Sequence, residues 1–318
     1  MRKKNRKYAG YDYERLHTEL IDCNEIEVID VTKGCIYETK TITSGVIREV
    51  EIYPTFNKDE IPSEWKVKYD REAQTRFNDK RARKYFIRKI NTNFGRGDYF
   101  VTLTYEKGKE PNTYEEAKKN IKIYIRRLNR KYEREQRSLG ISKSKIKRIK
   151  YVYVIEHSVE TNKIRCHYHL IMNSVLPMEV VESQWTFGRR NNIRRLDPDE
   201  KWLTGLAEYL SKDPKGKKRW VSSRNLKNPR LTVSASKFSK KKINNMTRYN
   251  HLIEEEMLKT NPGYIFIGSE VRINTYNGKP YIYALMRKLD WYKNDTRRTL
   301  INEYRKRRSC TTSRDRRL

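Results

Sequence analysis

The chain is short of acid relative to base, and it has few cysteines, few histidines and no long apolar run. Asp and Glu number 40 against 72 Lys and Arg, so 318 residues carry a formal charge of +32. A compact fold with that charge repels itself unless a polyanion screens it. Phosphate contacts from Lys and Arg release counterions and dominate affinity for nucleic acid, which makes nucleic acid the expected partner. A merely basic soluble protein, or one bound to anionic membrane surfaces, fits less well because the charge runs the whole length. The four cysteines, Cys23, Cys35, Cys166 and Cys310, form no CxxC pair and no framework. That argues against a zinc ribbon and for a reducing compartment. No apolar run is long enough to span a membrane, and no apolar segment follows the basic start MRKKNRKYAG, so a cytoplasmic location is expected. With 36% hydrophobic and 35% charged residues, the chain has core enough for one large or two small domains, with some of it outside.

Periodicity supplies an outline. EIEVIDV, CIYETKTI and VIREVEIY in residues 1–60 read as short strands without evident chemistry. Residues 68–94 read as a basic helix, with Ala73 and Phe77, then Phe86, Ile90 and Phe94, at four-residue spacing. YFVTLTY at 99–105 is a strand. Thr113 and Glu116 form a capping box for a helix whose buried stripe is Ala117, Ile121, Tyr124, Leu128 and Tyr132. Strands follow at 151–157 and 164–172, with ETNK as the turn between them. Next come a short helix near 177–185, a strand near 192–196, a helix over 198–212 and a strand at 230–236. This β-α-β-β-α-β-α-β order contains the split βαβ pattern: an α+β, ferredoxin-like domain whose central antiparallel sheet carries helices on one face. A helix near 246–259, a hairpin turning at Asn277-Gly278 and an Arg-rich tail complete the chain. The expected divisions are 1–64, a β-rich extension; 65–240, the central domain; 241–295, a helix and hairpin; and 296–318, a basic disordered tail.

With only five histidines in the chain, IRCHYHLIMN places two on alternate strand positions. Alternation puts His167 and His169 on one face, and Cys166, Tyr168, Leu170 and Met172 on the core face. On the preceding strand, Glu156 falls on the histidine face if Tyr151, Tyr153 and Ile155 pack against the helices. Two imidazoles and a carboxylate with open positions suit a divalent cation such as Mn²⁺ or Mg²⁺ that also contacts a phosphate oxygen. The competing readings are an HxH that arose by chance, Glu156 as a surface carboxylate, and His157 as the third ligand, though alternation turns His157 away. LIMNSVLP has no glutamate for a cupin, and Tyr168 occupies the carboxylate position of a facial triad.

A candidate nucleophile lies in GLAEYLSKD. Tyr209 and Lys212 are three apart and share a helix face. A phenol with a pKa near 10 is a poor nucleophile at neutral pH, and an ammonium or a metal nearby favours the phenolate. In a chain of 23 tyrosines, core packing competes as an explanation for Tyr209.

FVTLTY, CHYHLIM and EYLSKD, in this order, resemble the three motifs of the HUH rolling-circle replication initiators, the Rep proteins of single-stranded DNA phages and small plasmids. HxH before YxxK is the Rep order; mobilisation relaxases usually place the tyrosine first. KKRWVSSRNLKNP also looks like this group, and the resemblance spans roughly residues 65–290. It implies His167, His169 and Glu156 as metal ligands. Tyr209 would cut one strand and retain the 5′-phosphate, Lys212 would position or activate it, and the freed 3′-OH would prime synthesis. Thr102 and Thr104 would face the DNA. Arg219, Trp220 and Arg224 are further DNA candidates, although Trp220 reads equally as core beside a basic face. A single tyrosine must close the circle with a second subunit or by hydrolysis, so a homo-oligomer is one expectation. No GxxxxGK[ST] occurs, so host helicase and polymerase are the implied partners, with single-stranded origin DNA as substrate in a bacterial cytoplasm. An HUH transposase or relaxase, and a basic nucleic-acid-binding protein without catalysis, are the alternatives.

Overall fold

The structure, a computed structural model, describes residues 8–10, 20–22, 35–57, 71–157, 166–188, 191–211, 220–235, 237–274 and 278–289. The strands are β1 (Tyr8–Gly10), β2 (Leu20–Asp22), β3 (Ile36–Ser44), β4 (Ile47–Asn57), β5 (Tyr99–Thr104), β6 (Tyr151–Glu156), β7 (His167–Met172), β8 (Asn192–Arg195), β9 (Val221–Ser222), β10 (Arg230–Ser234), β11 (Tyr264–Asn274) and β12 (Pro280–Lys288). The helices are α1 (Arg71–Asn93), α2 (Tyr114–Ser138), α3 (Met178–Ser183), α4 (Thr204–Leu210), α5 (Lys240–Arg248) and α6 (His251–Thr260).

Five strands form one antiparallel sheet in the order β8-β5-β7-β6-β9. Strands β5, β6, β7 and β8 therefore stand as fourth, first, third, second across the sheet, the split βαβ arrangement expected from the element order. Helix α2 starts where the capping box places it: Thr113 Oγ1 accepts from Glu116 N–H at 3.2 Å. Its stripe of Ala117, Ile121, Tyr124 and Leu128 is fully buried with Val101, Leu103, Tyr153, Tyr168 and Leu170. Burial of each large side chain contributes about 1.5–3 kcal/mol.

The α+β architecture is as expected, but helices cover both faces of this sheet rather than one. Phe100, Val152, Val154 and Ile171 make the other face apolar along much of its length. That face buries Phe86, Ile90 and Phe94 of the α1 region and Ala207 and Leu210 of α4. Helix α4 is also shorter than the expected 198–212, because Asp199 and Trp202 close a turn and Trp202 takes a positive φ of 63°.

The remaining seven strands form a second sheet, ordered β10-β3-β4-β12-β11-β2, with β1 paired to β4. N-terminal and C-terminal strands, read separately along the chain, thus share one sheet, and β10 joins it by pairing with β3. Helices α5 and α6, separated at Tyr249–Asn250 where one helix near 246–259 was expected, cover it through Ile243, Met246, Ile253 and Met257. Residues 25–31, 160–163 and 296–318, Asn277 and the side chains of Ala73 and Phe77, on which expectations were placed, lie outside the described residues.

Candidate metal centre and nucleophile

Register decides which side chains meet. In β7, His167 is directly opposite Glu156 of β6 and Thr104 of β5, while His169 is opposite Val154 and Thr102. Directly opposed residues share a face, so the antiparallel pairing brings Glu156, both histidines and both threonines to the same side. Between the histidines, Tyr168 points to the other side and is locked there. Asn120 Nδ2 donates to Tyr105 Oη at 3.0 Å, Tyr105 donates to Tyr168, and Tyr168 donates to the carbonyl of Ala117 at 2.8 Å. Cys166 is buried on that opposite side, and burial pushes its thiol up to about 12, which removes it as a metal ligand at neutral pH.

Glu156 Oε2 lies 3.0 Å from His167 Nε2, and Glu156 Oε1 lies 3.6 Å from His169 Nε2. One ligand atom from each of the three lies within 4.8 Å of the others. His169 is 7% exposed, and its Nε2 is buried without a hydrogen bond. Its Nδ1 is 3.2 Å from Thr102 Oγ1. A buried polar atom left unpaired costs about 1–3 kcal/mol, and a cation would satisfy this one. Burial, then the charge of His167, then that of Arg194, lower the His169 pKa against the opposing pull of Glu156. A neutral imidazole is the form that ligates metal. The donor set of two nitrogens and a carboxylate therefore fits a divalent cation.

Tyr209 projects from α4 onto this cluster. Its ring centroid is 5.9 Å from that of His169, with the planes at 67°, and the residue is 53% exposed. The helix is held by Leu203, Ala207 and Leu210, buried at spacings of four and three against α1 and the sheet, which leaves Tyr209 on the open side.

The remaining expected site residues separate. Thr102 engages His169 rather than standing free toward solvent. Thr104 is opposite His167, and its carbonyl accepts from Trp185 Nε1 at 2.7 Å. Trp220 is half-buried, with its ring centroid 4.7 Å from that of Phe86, so the core occupies part of its surface. Arg224 is exposed. Lys212 and Arg219 lie outside the described residues. Two contributors escaped the sequence reading. Phe100 stacks on His169 at 5.5 Å and 14°, and the Arg194 guanidinium lies 4.8 Å from the Phe100 ring centroid. Phe100 was accessible to the alternation that placed Thr102; Arg194 was not, because its approach depends on β8 pairing with β5.

Residues 98–214, a little over a third of the chain, match the family of the replication-associated protein ORF2. The matched stretch begins just before β5, ends just after α4, and includes Glu156, His167, His169 and Tyr209. This similarity ties the five-stranded unit to DNA replication and to a replication initiator. No curated protein and no solved structure matches the chain. Among the described residues no helix is long and apolar enough to cross a membrane.

Proposed function

We propose that this protein is an HUH-type replication initiator that nicks and rejoins single-stranded DNA at an origin, starting rolling-circle replication. The observation that carries this reading is the approach of an exposed tyrosine to a histidine–histidine–carboxylate cluster, at 5.9 Å between the Tyr209 and His169 rings. The similarity of this stretch to replication-associated proteins supports the same process.

Glu156, His167 and His169 would hold Mn²⁺ or Mg²⁺, which when bound draws charge from a phosphate oxygen and favours attack at phosphorus. Tyr209 Oη then attacks the phosphodiester. A bond from phosphorus to Oη forms, the bond to the 3′-oxygen breaks, and the leaving oxygen takes up a proton as the 3′-OH. The phenolic proton passes to solvent or a basic neighbour; Lys212 is the residue proposed to favour the phenolate. Because the 5′-phosphotyrosine retains the energy of the broken bond, a later 3′-OH can reverse the step and rejoin the ends without ATP. Arg219, Trp220 and Arg224 are proposed DNA contacts in the segment after α4, with host helicase and polymerase as partners in a bacterial cytoplasm.

The test is a denaturing gel of protein mixed with labelled single-stranded circular DNA and Mn²⁺, with and without EDTA. A covalent adduct that requires metal and is lost in Tyr209→Phe is the expected result. Salt-sensitive binding without any adduct on varied DNA would instead make this a non-catalytic binding protein.

A further inference from the structure

The side chains that hold the tyrosine helix lie outside the stretch that matches the replication-associated family. Helix α4 is seven residues long, too short to persist by itself, and Leu203 at its start has no polar side chain to cap it. Helix α1 supplies the missing partners. Asn91, 3% exposed, accepts from Leu203 N–H through Oδ1 at 3.2 Å and donates from Nδ2 to Thr204 Oγ1 at 3.0 Å. At the other end, Arg83 Nη2 donates to the carbonyl of Ser211 at 3.1 Å. Asn91 and Arg83 are eight residues apart, as are Leu203 and Ser211. At about 1.5 Å per residue both spans are about 12 Å, so two antiparallel helices meet in register at both ends.

The anchoring end of α1 is itself seated. Gly45, with φ of 64° in the turn between β3 and β4, packs so closely that a Cβ there would lie 2.1 Å from the carbonyl oxygen of Asn91. Trp202 Nε1 donates to the carbonyl of Phe94 at 3.0 Å, and its ring lies against Gly95. Between the two anchors, Arg88 pairs with Glu49 at 2.7 Å and Glu51 at 3.0 Å on β4. The second sheet therefore holds α1, and α1 holds α4.

We infer that Asn91 is a positioning residue for Tyr209. Through the first turn of α4 it sets where the phenol stands relative to Glu156, His167 and His169, with Arg83 as the second anchor. This rests on Tyr209 as the nucleophile. Tyr209 lies six residues beyond Leu203, so loosening the first turn swings the phenol, and a misplacement of about 1 Å costs up to about a hundredfold in rate.

The experiment uses the full chain and follows single-turnover adduct formation at varied DNA concentration, beside hydrogen exchange of the α4 amides and Mn²⁺ binding by calorimetry. Asn91→Ala is expected to lower the saturating rate at least tenfold. The half-saturating DNA concentration and the Mn²⁺ affinity should stay within about twofold, and exchange in α4 should accelerate. Asn91→Asp, which retains an acceptor for Leu203 N–H and one for the Thr204 hydroxyl, should recover most of the rate. Thr204→Val, a milder loss, should show a smaller decrease and serves if Asn91→Ala fails to fold. Wild-type rates in both Asn91→Ala and Thr204→Val would overturn the inference while leaving the proposed function intact. If the wild type forms no adduct, that function fails, and unchanged α4 exchange in Asn91→Ala would separately overturn the clamp.

Discussion

Glu156 and His167 face each other directly across β6 and β7, with Oε2 and Nε2 3.0 Å apart. A carboxylate and an imidazole this close form a hydrogen bond without metal and share an ion with it. Glu156→Gln keeps the size and removes the charge. It is expected to weaken Mn²⁺ binding at least tenfold by calorimetry, and His167→Ala to weaken it further. An unchanged affinity in both variants would exclude this cluster as the metal centre.

Thr102 sits behind His169 at 3.2 Å from Nδ1. With a cation on Nε2, the proton belongs on Nδ1, and the threonine hydroxyl accepts it. Thr102→Val removes that acceptor at nearly constant volume and is expected to cost about tenfold in metal affinity, whereas Thr102→Ser should retain it. A loss of DNA affinity with metal binding intact would return Thr102 to the DNA-contact role first expected for it.

Burial first, then His167 and Arg194, hold the His169 pKa below its ordinary value of about 6.5. Below about pH 6.5 the unfolded chain takes up a proton at this residue before the folded chain does. The unfolded state then binds more protons, so the stability contribution of His169 falls as pH drops through that window and levels off below the folded value. The metal-free protein should therefore lose more thermal stability between pH 7.5 and about 5.5 than His169→Gln does, as read by calorimetric Tm. Equal losses in the two proteins would contradict the shift.

Arg88 is 15% exposed at its side chain and neutralises Glu49 and Glu51, themselves 13% and 7% exposed. Removal of its charge strands two buried carboxylates. Arg88→Met is expected to destabilise by about 3 kcal/mol in urea unfolding, the cost of breaking a buried pair by deleting one partner. Arg88→Lys should recover only part, because a single ammonium cannot reproduce the two-pronged contact with Glu49.

A net charge of +32 makes affinity for DNA a salt-dependent quantity. If six or more phosphates are neutralised, binding to single-stranded DNA should fall at least about a hundredfold between roughly 50 and 200 mM salt. A flat titration would refute phosphate neutralisation as the main source of affinity.

Much of the five-stranded unit was legible from alternation alone. Period-two patterning in FVTLTY, YVYVIE and HYHLIM assigns each residue to a face, and one antiparallel register turns those faces into a site. Glu156, His167 and His169 could be grouped this way because they lie on strands joined in a hairpin. The same local rule failed for helices on the histidine face, since Phe100, Val152, Val154 and Ile171 are interspersed with the polar site residues and read as an open face.

The sequence by itself determined the basic character, the split βαβ order, the core stripe of α2 and the face on which both histidines stand. Each follows from composition or from a period of 2 or 3.6 residues, which are local properties. Only the tertiary structure decided that both ends of the chain build one sheet, that Thr102 orients His169, and that Asn91 and Arg83 seat the helix of Tyr209. Those contacts join residues 67 to 128 positions apart, and no local periodicity encodes which distant side chain will meet an unpaired helix end or ring nitrogen.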